Sequence, residues 1–153
     1  MRVIVIGGTG TIGSAVVKRL STRHDVVGVG HKHGAFQVDL ASPESIISLF
    51  KAVGTCDAVV STAGIAKFAS LEDLTYDDYF IGLKNKLMGQ ANLVRIGKPF
   101  VTNHGSFTLT AGVLSREPMK GSASISMVNA GLEGFVRAAA IDLPRGLRIN
   151  VVS

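Results

Sequence analysis

The 153-residue chain is sized for one domain, 1–153, and its 46% hydrophobic and 18% charged residues exclude disorder and supply a packed core. Its formal net charge of +5 is scattered without a basic block, so no nucleic-acid partner is expected. No stretch approaches the about 18 apolar residues of a membrane span, and the single cysteine, Cys56, cannot close an internal disulfide, which points to a reduced, cytoplasmic setting.

The run RVIVI at 2–6 is short, apolar and β-branched, the pattern of a strand buried on both faces. GGTGTIG follows at 7–13 and breaks the apolar run too early for a secretion signal. Ile12, Val16, Val17 and Leu20 recur at helical spacing over 11–22. DVVGVG at 25–30 and FQVDL at 36–40 read as the second and third strands. Ser42, Pro43 and Glu44 open a helix reaching about Val53: a capping hydroxyl, a first-turn proline and an acid that complements the helix dipole. DAVVS at 57–61 is the fourth strand. Residues 70–97 read as helical in two pieces, with Phe80, Leu83, Leu87, Ala91 and Val94 on one stripe. GSFTLT at 105–110 is the fifth strand, 122–142 a long helix stopped by Pro144 and Gly146, and LRINVV at 147–152 the sixth strand. Alternation of strand and helix predicts an α/β chain with a parallel sheet covered on both faces.

A strand that runs through glycines into a helix suits close approach of a phosphate to the backbone. One glycine makes the turn, one leaves the approach open, and one lets helix pack on strand. The helix N-terminus then offers unpaired N–H groups and a partial positive charge. Gly7, Gly10 and Gly13 are spaced GxxGxxG, and Gly8, Gly10 and Gly13 are spaced GxGxxG. The loop Gly7, Thr9, Gly10, Thr11, Ile12, Gly13 is therefore the candidate pyrophosphate site of a dinucleotide. The second strand ends without an acid to meet a ribose 2′-hydroxyl; Asp25 stands at its other end. His31 and Lys32 follow instead, and a cation at that place can meet a 2′-phosphate, so NADP(H) is expected over NAD(H). His31 and His33 lack a third ligand nearby, and no metal site is expected.

Several segments together resemble the short-chain dehydrogenase/reductase family: GGTGTIG, VDL at 38–40, STAG at 61–64, GSFTLTAG at 105–112, and NAGLEGFVRAAAIDLPRGLRINVVS at 129–153. The resemblance covers essentially the whole chain. It implies a Rossmann-type doubly wound parallel sheet of about six strands, with Asp39 and Leu40 flanking the adenine and Ala63 and Gly64 along the adenosine ribose. It also implies a small carbonyl or alcohol substrate. A homodimer or tetramer formed through helices 78–97 and 122–142 is expected in the same way.

The resemblance breaks at the family's catalytic signature, Tyr-x-x-x-Lys with a serine upstream. Aligning NAGLEGF places Ile125 at the tyrosine and Asn129 at the lysine, and the serine falls near Thr110 or Ala111. Ile125 cannot move a proton, whereas Asn129 and Thr110 can hydrogen-bond and are the candidate catalytic positions. The asparagine of the preceding helix aligns with Lys86 when Gly89 is matched, or is Asn85 after a one-residue slip. Ser122, Ser124, Ser126, Lys120, Tyr79 and His104 are weaker candidates for the proton donor. The family's C-terminal lid and last strand are expected to be missing, as in a short variant or a fragment. These departures leave three readings: an oxidoreductase with a non-standard proton donor, a catalytically inactive NADP(H) sensor or structural protein of the same fold, and a helix-mediated assembly subunit.

Overall fold

The computed structural model describes residues 1–153. Six parallel strands form one sheet in the order β3-β2-β1-β4-β5-β6. They are β1 (Arg2–Ile6), β2 (Asp25–Gly30), β3 (Phe36–Gln37), β4 (Cys56–Ser61), β5 (Val101–Thr110) and β6 (Arg148–Val152). The helices are α1 (Thr11–Leu20), α2 (Pro43–Val53), α3 (Tyr76–Gly82), α4 (Gly89–Gly97) and α5 (Ala123–Asp142). The strand order reverses at β1, which pairs with β2 on one side and β4 on the other. In such sheets a crevice opens outside the carboxyl ends of the strands at that reversal.

The two faces are covered unequally. Ile4, Ile6, Val59 and Phe107 point into the larger core beneath α2, α4 and α5, where Phe50 stacks on Phe100 with ring centroids 5.4 Å apart. Val3, Val5 and Ala58 point the other way, against Val16, Val17 and Leu20 of α1. β1 therefore needs apolar residues at every position from Val3 to Ile6, which explains its unbroken hydrophobic run.

Beyond shifts of one or two residues, four features differ from the sequence reading. The helix expected from 70 begins at Tyr76, because Thr75 caps it: the Thr75 hydroxyl accepts from Asp78 N–H, and the Asp78 carboxylate accepts from Thr75 N–H. Residues 70–75 form a turn and its exit instead. The third strand keeps only Phe36–Gln37 of FQVDL, since Val38 to Leu40 leave the sheet toward α2. β5 starts at Val101, four residues before 105, with a register shift against β4 and His104 at φ 61°. A π-helical segment, Leu83–Met88, joins α3 to α4 and shifts the helical phase of α4 relative to α3. Gln90, Leu93, Val94 and Gly97 of α4 are consequently buried, while Leu87 and Ala91 are only half-buried.

Candidate functional site

Gly7 adopts φ +81°, and the N–H groups of Gly7 and Gly8 both donate to the Val29 carbonyl at 2.9 Å, tying the loop to β2. A Cβ at Gly13 would overlap the Gly7 carbonyl oxygen, so glycine is required there for α1 to sit beneath the loop. Gly10 is the N-cap of α1 in extended conformation, with no side-chain capping bond, and the first turn holds no acid. The leading N–H groups of α1 therefore lack partners within the helix and face outward with the positive end of its dipole. A Cβ at Gly10 would meet only the Gly7 carbonyl, at 3.3 Å, so the absent side chain there leaves space on the solvent side. This cradle fits the diphosphate of a dinucleotide.

The loop opens on a cleft of about 330 Å³ at the reversal of strand order. Of the residues singled out from sequence, Gly7, Thr9, Gly10, His31, Leu40, Ala63, Gly64 and Asn85 line it. Thr11 and Ile12 are exposed beside it, and Gly13 is buried beneath the loop. Lys32 is exposed at the end of β2 and makes no ion pair. His31 is fixed by a 3.2 Å hydrogen bond between Nδ1 and the Val38 carbonyl. Asp39 is turned into the start of α2: its Oδ1 accepts from Ala41 N–H at 2.9 Å, and its own N–H donates to Ser45 Oγ at 2.9 Å.

Sequence reasoning did not single out Thr62, whose hydroxyl donates to the Ile6 carbonyl at 3.0 Å and whose backbone also bonds Ile6. It locks the end of β4 beside Gly7, and its signal was its place within STAG. Gln90 was missed as well. It is a fully buried polar residue next to the apolar stripe, and its amide holds both backbone groups of Thr110.

At the carboxyl end of β5, Thr110 Oγ1 donates to the Ser61 carbonyl at 2.7 Å, so its proton is committed to the strand neighbour. Asn129 is 1% exposed; its Nδ2 donates to the Gly112 carbonyl at 3.2 Å, and its Oδ1 is buried without a donor. Lys86, from the π-helical segment, donates through Nζ to the Ala111 carbonyl at 2.7 Å, and burial pushes its pKa down. Ile125 is half-buried hydrocarbon.

The weaker candidates scatter. Ser122 Oγ accepts from Met119 N–H and pairs with Ser126 Oγ at 3.1 Å, which ties it to the turn before α5 and to its neighbour on the helix. Ser124 is buried with no partner, and Lys120 is exposed. Tyr79 is half-buried on α3 and does not line the cleft. His104 lies in the amino-terminal half of β5, with its N–H donating to the Arg145 carbonyl, toward the end of the strands away from the cleft.

The family described as enoyl-(acyl carrier protein) reductase matches residues 11–153. A hydroxynaphthalene reductase of Aspergillus fumigatus is 26% identical over 98% of this chain, and the chain spans 64% of that protein's length. Among solved structures, the protein lin1944 from Listeria innocua superposes with a TM-score of 0.98 at 40% identity, covering 100% of this chain and 76% of its own. A small-chain dehydrogenase in complex with NADPH superposes with a TM-score of 0.92 at 26% identity, covering 100% of this chain and 69% of its own.

Proposed function

We propose a function from the premise that this chain belongs to the short-chain dehydrogenase/reductase family: it binds NADP(H) in the glycine-loop cleft and serves as an oxidoreductase for a small carbonyl or alcohol substrate. The observation that carries this reading is the uncapped N-terminus of α1, with its glycine cradle, at the reversal of strand order. When bound, the cofactor supplies the two-electron redox chemistry.

The chain's own residues divide the work of binding. The first N–H groups of α1 take the diphosphate oxygens, and Gly10 leaves them room. Lys32, free of any carboxylate, and His31 beside it meet the 2′-phosphate. Leu40 and Ala63 pack along the adenosine, and Gly64 with its φ of +143° lets the backbone pass close to the ribose. The NADPH complex of the similar small-chain dehydrogenase supports the choice of NADP(H). Thr110 retains hydroxyl lone pairs that accept a hydrogen bond at the reacting end, and Asn129 holds the exit of β5 in place.

Ile125 favours a second reading. No phenol or other acid stands at that position of α5, and the surrounding serines Ser122 and Ser126 are bonded to each other. A protein that binds NADP(H) without turning it over fits this corner as well. Calorimetric titration with NADPH and NADH, followed by a panel of ketones and aldehydes with NADPH, separates the two. Tight NADPH binding with turnover supports the oxidoreductase; tight binding and no turnover across the panel supports the sensor. Failure to bind either dinucleotide removes both.

Assembly through the two long helices belongs to the same reading. An apolar groove of about 460 Å³ runs between α4 and α5, with Met88, Ala91 and Phe135 on its walls, and a second copy would cover it. Sedimentation velocity that finds only monomer would remove this part.

A further inference from the structure

Lys86 is the one half-buried lysine; every other lysine in the chain is exposed. Burying an ammonium group is unfavourable unless it is paired. Lys86 has no carboxylate within ion-pair distance and spends one of its three N–H donors, on the Ala111 carbonyl at 2.7 Å. Its stem lies against the cleft wall: a Cβ at Gly64 would stand 2.7 Å from Lys86 Cγ. The next carbonyl along the chain, that of Gly112, is taken by Asn129 from α5. Two helices thus grip consecutive carbonyls at the exit of β5. The corner they make holds unspent ammonium donors and a buried amide oxygen, Asn129 Oδ1, without a donor.

A corner with a half-buried cation, no counter-charge and an unsatisfied acceptor matches a ligand bearing hydroxyl groups. It lies past Gly64 from the glycine loop, at the carboxyl ends of β4 and β5. Resting on the NADP(H) reading above, we infer that Lys86, carried by the π-helical segment, anchors the nicotinamide-side ribose of the dinucleotide by donating to its hydroxyl groups, with Asn129 as the positioning residue that holds the adjoining carbonyl. An extra residue in a helical turn re-aims the side chains it carries, and such segments recur at functional sites. Here it turns Lys86 toward Ala111 rather than toward solvent, where its neighbour Lys84 sits over the Phe80 ring.

The test compares two ligands on the full chain by calorimetry: NADPH, and adenosine 2′,5′-bisphosphate, which carries the adenosine half with its phosphates but no second ribose. Lys86→Met is expected to weaken NADPH about tenfold or more while leaving the bisphosphate within about twofold, and Lys86→Arg to retain most of the NADPH affinity. A merely structural lysine would weaken both ligands together, and that result overturns the inference, as does unchanged NADPH affinity. If the methionine variant does not fold, Lys86→Gln, which keeps a donor for the Ala111 carbonyl, is read in the same way. Wild-type protein that binds the bisphosphate and NADPH equally well sinks the Lys86 anchor alone. Wild-type protein that binds neither sinks the cleft reading and this inference together.

Discussion

Gln90 holds Thr110 by both backbone groups: its Nε2 donates to the Thr110 carbonyl at 2.9 Å, and its Oε1 accepts the Thr110 N–H at 3.1 Å. The side chain is fully buried, so neither backbone group has water to fall back on. Gln90→Leu keeps the volume and strands both groups. Chemical denaturation should show a loss of about 2–4 kcal/mol, and a change below about 0.5 kcal/mol would mean the end of β5 finds other partners.

Gly13 and Gly10 should respond oppositely to added side chains. At Gly13 a methyl group overlaps the Gly7 carbonyl, so Gly13→Ala should destabilise the fold by about 1–3 kcal/mol. At Gly10 the only close neighbour is that same carbonyl at 3.3 Å, so Gly10→Val should melt close to wild type yet lose NADPH binding. A Gly10→Val protein with unaltered NADPH affinity would make the loop a packing feature only.

Lys32 is exposed and unpaired, and its expected role is charge recognition of the 2′-phosphate. Lys32→Ala should raise the Kd for NADPH about tenfold and leave that for NADH unchanged. Titrations of both dinucleotides against both proteins decide it; equal losses would point to general electrostatics.

Asp57 accepts from the Arg2 N–H at 2.7 Å and from Thr102 Oγ1 at 2.9 Å, which hold its carboxyl below the usual range. A group with a lowered native pKa stabilises above its unfolded value and loses that contribution as pH falls through the native value. The melting temperature should therefore fall as pH drops below about 4, and Asp57→Asn should flatten part of that fall. An unchanged slope in the variant would assign the acid sensitivity to the other lowered carboxylates, Asp78 and Glu133.

Cys56 is 1% exposed, and burial, with Asp57 beside it, pushes its thiol up to about 11. A thiol-selective reagent at about pH 8 should label the folded protein no faster than it unfolds, since only thiolate reacts. Rapid labelling under native conditions would contradict this burial.

Much of the fold was legible because its signals are local. An unbroken apolar run such as Val3 to Ile6 marks a strand packed on both faces, and Ser42-Pro43-Glu44 marks a helix start through groups within one turn of each other. The misplaced boundaries have equally local causes that periodicity does not register: the Thr75–Asp78 capping box that delays α3, and the bulge at His104 inside β5.

The sequence alone determined the alternation of strand and helix and the glycine cradle, because each depends on residues within about a dozen positions that either fit a regular backbone or do not. It also determined that no phenol stands at position 125. Only the tertiary structure decided that Lys86 and Asn129 would close on neighbouring carbonyls, that Gln90 would hold Thr110, and that the Thr110 proton would be spent on Ser61. Those contacts join residues 17 to 49 positions apart. Their existence depends on which strands lie side by side and on the helical phase set by the π segment, and no residue's near neighbours encode either.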